Sequence, residues 1–169
     1  MTIADFLLPE FDQEMANTRR MLERLPDGKA DWRPHEKSMP LGRLATHLGE
    51  LPQWATNAVT LDELDIAPPD GGPFVPTILE NTTEILELFD KNIAEARGHI
   101  AAADDATMMK GWTLKVGGQD AFTMPKIAVI RSFVINHMLH HRGQLSVYLR
   151  LLGQPLPAIY GPSADESPM

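Results

Sequence analysis

The sequence predicts an all-α fold, a four-helix bundle with a small β-hairpin before its last helix. Three observations lead there. Proline and glycine divide the 169 residues into four long stretches. Within each, apolar residues recur at the three- and four-residue intervals of a helix face. Apart from the connecting loops, the region without that period, residues 112–122, is short and centred on Gly117-Gly118. A chain of this length is expected to form one domain, residues 1–169, and can bury roughly two thirds of its unfolded surface.

The first helix is predicted from Thr2 to Leu25, opened by a Thr2/Asp5 capping box. Ile3, Phe6, Leu7, Phe11, Met15, Thr18, Leu22 and Leu25 share one face, and Pro26-Asp27-Gly28 ends it. Lys29 to Ser38 lacks helical period and reads as a loop that tucks Trp32 onto the bundle. A second helix from Ser38 or Met39 aligns Leu41, Leu44, Leu48, Leu51 and Ala55. Pro52 lies inside it. Proline there lacks an amide donor and clashes with the Leu48 carbonyl, so a kink is expected one turn after His47.

Asp65 to Pro76 is dense in proline and glycine and reads as a connection. Thr77 and Glu80 are predicted to cap a third helix whose apolar face is Ile78, Ile85, Leu86, Phe89, Ile93, Ala96 and Ile100. Between Trp112 and Phe122, Gly117-Gly118 signals a hairpin. Thr123 is then predicted to cap the longest helix, with Pro125 in its first turn and Gly153 and Pro155 at its end. Four such helices suggest an up-down bundle, with room for one longer crossover.

Composition narrows the function classes. With no cysteine, thiolate metal sites, iron–sulfur clusters and a cysteine nucleophile are excluded. A net charge of -8 leaves no basic surface for nucleic acid and disfavours anionic membranes. No apolar stretch approaches the ~20 residues of a membrane span. Asp5 and Glu10 interrupt the start of the chain, which lacks signal-peptide character, so a cytoplasmic location is expected.

The chemistry concentrates in NHMLHHRGQ, residues 136–144. At about 100° per residue His137 and His141 lie about 40° apart on one helix face, where two imidazoles can converge on one metal ion. Ile130, Val134, Leu145 and Tyr148 share that stripe, so the pair is expected to face inward. The H-E-x-x-H pattern of metalloproteases is absent, because Met138 follows His137. His47, at the edge of the second helix's apolar stripe, supplies a third imidazole. Buried imidazoles without partners are unfavourable, and a shared ion satisfies all three.

Three segments, LGRLATHLGEL around His47, NHMLHHRGQLSVYLRLLG from Asn136 and the following LPAIYGPSADE, resemble the DinB family. That resemblance implies a four-helix bundle holding a metal on one histidine of the second helix and a His-x-x-x-His pair of the fourth. Carried over, the ligands are His47, His137 and His141. Three neutral ligands leave positions open for water or substrate. The donor set suits one divalent transition metal ion, whether zinc, nickel or iron.

Gln144, about 20° from His137 on the same face, is expected to orient an imidazole or bond a bound water, or else to sit idle at the rim. His140 is assigned a lesser role, Arg142 a structural one and Trp54 ordinary packing. Tyr160 is a candidate for closing over the opening. The resemblance further implies a metal-dependent enzyme, a transferase or hydrolase related to thiol-dependent S-transferases, with a low-molecular-weight thiol as partner. A non-catalytic metal-binding or stress-response module is the alternative. A homodimer is expected, because Ile127, Val129, Ile130, Phe133, Val134 and Ile135 cover more of the last helix than one core needs. The competing reading is that the hairpin covers the outer side.

Overall fold

The computed structural model describes residues 1–72 and 75–167. Its helices are α1 (Ile3–Leu22), α2 (Leu41–Glu50), α3 (Gln53–Thr60), α4 (Thr82–Ala102), α5 (Asp105–Met109), α6 (Lys126–Val129) and α7 (His137–Leu151). A π-helical segment, Ile130–Asn136, joins α6 to α7 in one long rod. Strands β1 (Glu63–Asp65), β2 (Gly111–Val116) and β3 (Gln119–Pro125) form a three-stranded sheet in the order β1-β2-β3. Helices thus dominate, but the chain is not all-α.

The α1 capping box forms as predicted, with Thr2 and Asp5 each accepting from the other's backbone amide. Leu7, Phe11, Met15, Thr18 and Leu22 are buried, whereas Phe6 is 70% exposed. Pro52 does more than kink the second helix. It divides it into α2 and α3, with Leu51 and Pro52 between them still in helical conformation. At the break, buried Asn92 of α4 donates to the Gly49 carbonyl, so that oxygen keeps a partner.

The loop before α2 takes the place of a side-chain cap. Leu41 and Gly42 donate their amides to the carbonyls of Trp32 and Ala30, satisfying two otherwise orphaned donors of the first turn. A side chain on Gly42 would come within 3.0 Å of the Leu79 carbonyl and the Ala30 methyl, so glycine is what lets these strands of loop meet the helix. Trp32 packs edge-on against Tyr148 at 5.6 Å between ring centres, as its tucked position required.

Two predicted helix starts are corrected. Asn81, not Thr77, caps α4 by accepting from the Glu84 amide, and Ile78 is 45% exposed. The last helix begins at Lys126, because Thr123 to Pro125 extend β3 in antiparallel register with β2. Ladder bonds to a paired strand outweigh a local capping preference.

The hairpin turn is Gly117-Gly118, both at positive φ (63° and 77°), as a two-residue turn with mirror-image twist requires. The parallel pairing of β1 with β2 was not foreseen, since Asp65 fell in the predicted connection. Asp65 accepts the amides of Ala67, Gly117 and Gly118 and so ties β1 to the turn. These bonds hold its carboxyl below the usual carboxylate range.

In the bundle α1 packs on α4 and α7, and α2 packs on the same two helices. Consecutive helices α1 and α2 therefore take opposite corners, joined by the long Glu23–Pro40 connection, which replaces a simple up-down order. The apolar segment read as a dimer face is covered within the chain. Val129, Ile130, Val134 and Ile135 are fully buried, and Phe133 stacks on Phe122 of the hairpin at 5.0 Å. It provides no argument for a second copy. Among the described residues no helix is long and apolar enough to cross a membrane.

Candidate metal centre

The site lies on the seam between α2 and α7. Helical spacing brings His137 and His141 one turn apart on α7, and α2 lays His47 across them. Nε2 of His137 is 2.9 Å from Nε2 of His141 and 3.4 Å from Nε2 of His47. The ring centres of His47 and His141 are 4.7 Å apart. His141 is buried, and His47 and His137 are half-buried. Among the described residues no fourth histidine or carboxylate joins this cluster.

These separations fit a common ion. Two nitrogens ~2.0–2.1 Å from one metal lie about 2.9 Å apart at a right angle and about 3.4 Å apart at the tetrahedral angle. Both values occur here. Hydrogen bonding alone would satisfy the cluster poorly, since a neutral imidazole carries a single N–H to share.

The outward nitrogens have their own partners. Nδ1 of His141 lies 2.7 Å from the amide oxygen of Gln144, and the amide nitrogen of Gln144 lies 3.1 Å from Nε2 of His140. Nδ1 of His47 faces the Glu50 carboxylate at 3.8 Å and the Arg43 guanidinium at 3.4 Å, while Arg43 donates to Glu50 at 2.7 Å. Burial raises the Glu50 pKa, but the neighbouring His47 ring and the hydrogen bond from Arg43 outweigh it and hold the carboxyl below its ordinary value.

Burial is also the main reason that His137 and His141 resist protonation. It lowers the His137 pKa, with neighbouring His47 adding to the effect and a hydrogen bond to the Phe133 backbone opposing it. His141 is pushed down to about 4 by burial and by the surrounding histidines, against the Gln144 bond. Both are neutral near pH 7, the form that ligates a metal.

Other candidates fall elsewhere. Tyr160 does not close over the histidines. It donates to Glu14 at 2.7 Å and accepts from Arg142, on the seam between α1 and α7. Arg142 is buried and structural, paired with the buried Glu14 carboxylate at 2.7 Å and bonded to the Thr18 hydroxyl. Trp54 packs among aromatic rings, stacked on Phe133 and edge-on to Trp112.

Arg43 and Glu50 were missed in the sequence, although Glu50 is three residues after His47 and Arg43 four before it, the spacing that puts side chains on one helix face. The π-helical turn leading into His137 had no sequence signal. Such turns recur at functional sites because they shift the phase of a helix face.

The fold and the cluster together define a helical bundle with three histidines converging between two of its helices. The chain belongs to the DinB family, whose family model matches residues 2–168. It is 27% identical to the uncharacterized protein YrdA of Bacillus subtilis, over 96% of this chain and 90% of that one. Solved structures show the same fold. A DinB-like protein from Bacillus cereus superposes with a TM-score of 0.71 at 22% identity, covering 94% of this chain and 98% of that one. YjoA from Bacillus subtilis, also DinB-like, does so with 0.66 at 19% identity, covering 89% and 94%. YfiT from the same organism is described as a probable metal-dependent hydrolase with an unusual four-helix bundle topology. It gives a TM-score of 0.63 at 12% identity, covering 89% and 87%.

Proposed function

We propose that His47, His137 and His141 hold one divalent transition metal ion, zinc, nickel or iron, through their Nε2 atoms, and that the protein is a metal-dependent enzyme acting on a small molecule. The observation that carries this reading is the convergence of three Nε2 atoms at separations matching a shared ion. The description of YfiT as a probable metal-dependent hydrolase supports it.

Three neutral ligands and no protein carboxylate leave the ion's charge uncompensated and coordination positions open, as in catalytic zinc sites. An ion held there supplies Lewis acidity toward a nucleophile, either water for hydrolysis or a low-molecular-weight thiol for S-transfer. The chain's own residues do the rest. Burial keeps His137 and His141 unprotonated, Gln144 and Glu50 face the outer nitrogens of His141 and His47, and the half-buried rings of His47 and His137 leave the cluster accessible from one side.

Elemental analysis of protein purified without a histidine tag tests the ion directly. One equivalent of metal, lost in the His137→Ala variant, is expected. A panel of ester, amide and thiol-transfer substrates then separates the reactions. Stoichiometric metal with no turnover on any of them would favour the non-catalytic module. Metal-free protein that takes up none on titration would overturn the proposal.

A further inference from the structure

The geometry points to Gln144 as the positioning residue that fixes which nitrogen of His141 faces the metal, with His140 holding Gln144 in turn. This inference rests on the proposed metal reading. For His141 to ligate through Nε2, that atom must present a lone pair, so the ring proton must sit on Nδ1. A proton on Nδ1 needs an acceptor beside it.

The Gln144 amide oxygen lies 2.7 Å from that nitrogen, and a carbonyl oxygen can only accept. The other end of the amide decides its orientation. Its nitrogen lies 3.1 Å from Nε2 of His140, where an N–H finds a ring lone pair. The two contacts together aim the oxygen at His141. Spacing makes the arrangement possible, since His140 and His141 lie four and three residues before Gln144 on α7, within one turn of it. Gln144 is itself exposed, so its bonds do not serve core packing. Its side-chain contacts are to Nδ1 of His141 and Nε2 of His140, so it acts through His141.

Three forms of the protein test this: wild type, Gln144→Leu, which removes the acceptor, and Gln144→Glu, which keeps it. Zinc affinity is read by competition with a chromophoric chelator, and cobalt substitution gives the ligand-field spectrum of the site. Gln144→Leu is expected to bind zinc about 10–100-fold more weakly, with altered cobalt absorption and an unchanged melting temperature of the metal-free protein. Gln144→Glu is expected to restore affinity and spectrum. A Leu variant that binds zinc as wild type does, or a Glu variant as weak as the Leu one, overturns the positioning role alone. A wild-type protein that takes up no zinc defeats the metal reading and this inference with it.

Discussion

At the scale of single residues the site combines a requirement for neutral imidazoles with a position that enforces neutrality. The lowered pKa of His141, about 4 against 6.5 for a free ring, links the metal-free fold to pH. The unfolded chain takes up a proton near pH 6.5, while the folded chain resists doing so until about pH 4. Stability is therefore complete above pH 6.5, declines as pH falls from 6.5 to 4, and levels off below. At 1.36 kcal/mol per pKa unit the loss from this one group is bounded at about 3 kcal/mol. Urea unfolding of metal-free wild type and His141→Gln between pH 7 and pH 4 should show a steeper decline in the wild type. Parallel curves would contradict the assignment. The ring of His137 shifts in the same direction, so metal should be retained to lower pH than free imidazole ligands would allow.

A second prediction at this scale concerns the buried Glu14–Arg142 pair. Replacing Arg142 by Ala leaves the Glu14 carboxylate buried without its cation, at a cost of about 3–5 kcal/mol. The double replacement, Glu14→Gln with Arg142→Met, should recover much of the loss. Chemical denaturation of the two proteins checks this.

At the scale of elements, the hairpin turn is the clearest case of local chemistry dictating geometry. Gly117 and Gly118 both adopt the left-handed region, where a side chain costs roughly 1–2 kcal/mol per residue. Gly118→Val should destabilise by at least about 1 kcal/mol, seen as a lower melting temperature. The long last helix shows the opposite. Its π-helical turn, its start at Lys126 and the burial of Lys126 against the carbonyls of Val59 and Leu61 all depend on β3 and α3 lying beside it. Lys126 there closes the C-terminal end of α3, where unpaired carbonyls favour a cation.

At the scale of the whole molecule, a ligand that bridges α2 and α7 should stabilise the fold by mass action. An ion present at a hundredfold excess over its Kd adds about 2.7 kcal/mol. Chelation should lower the melting temperature of wild type and leave His137→Ala unaffected. An unchanged melting temperature at verified occupancy would remove the bridging role. With most of its apolar segment buried within the chain, the homodimer rests on the resemblance to the family, and sedimentation equilibrium at micromolar concentration measures it directly.

The sequence by itself determined most of the helical faces of α1, α2 and α4, the capping box at Thr2, a bend at Pro52 and the turn at Gly117-Gly118. Each follows from interactions within a few residues: a 3.6-residue period, a missing amide proton, a backbone that only glycine adopts at no cost. The pairing of His137 with His141 was legible for the same reason, being one helical turn. Tertiary structure decided what depends on distant neighbours. Only the packing of α2 against α7 brings His47 Nε2 within 3.4 Å of His137. Only the arrival of β1 beside β2 turns Glu63 to Asp65 into strand, and only ladder bonds with β2 hold Thr123 in β3 rather than at a helix start. Tyr160 carries no period at all, and its place against Glu14 and Arg142 is set by the buried charges that its hydroxyl meets there.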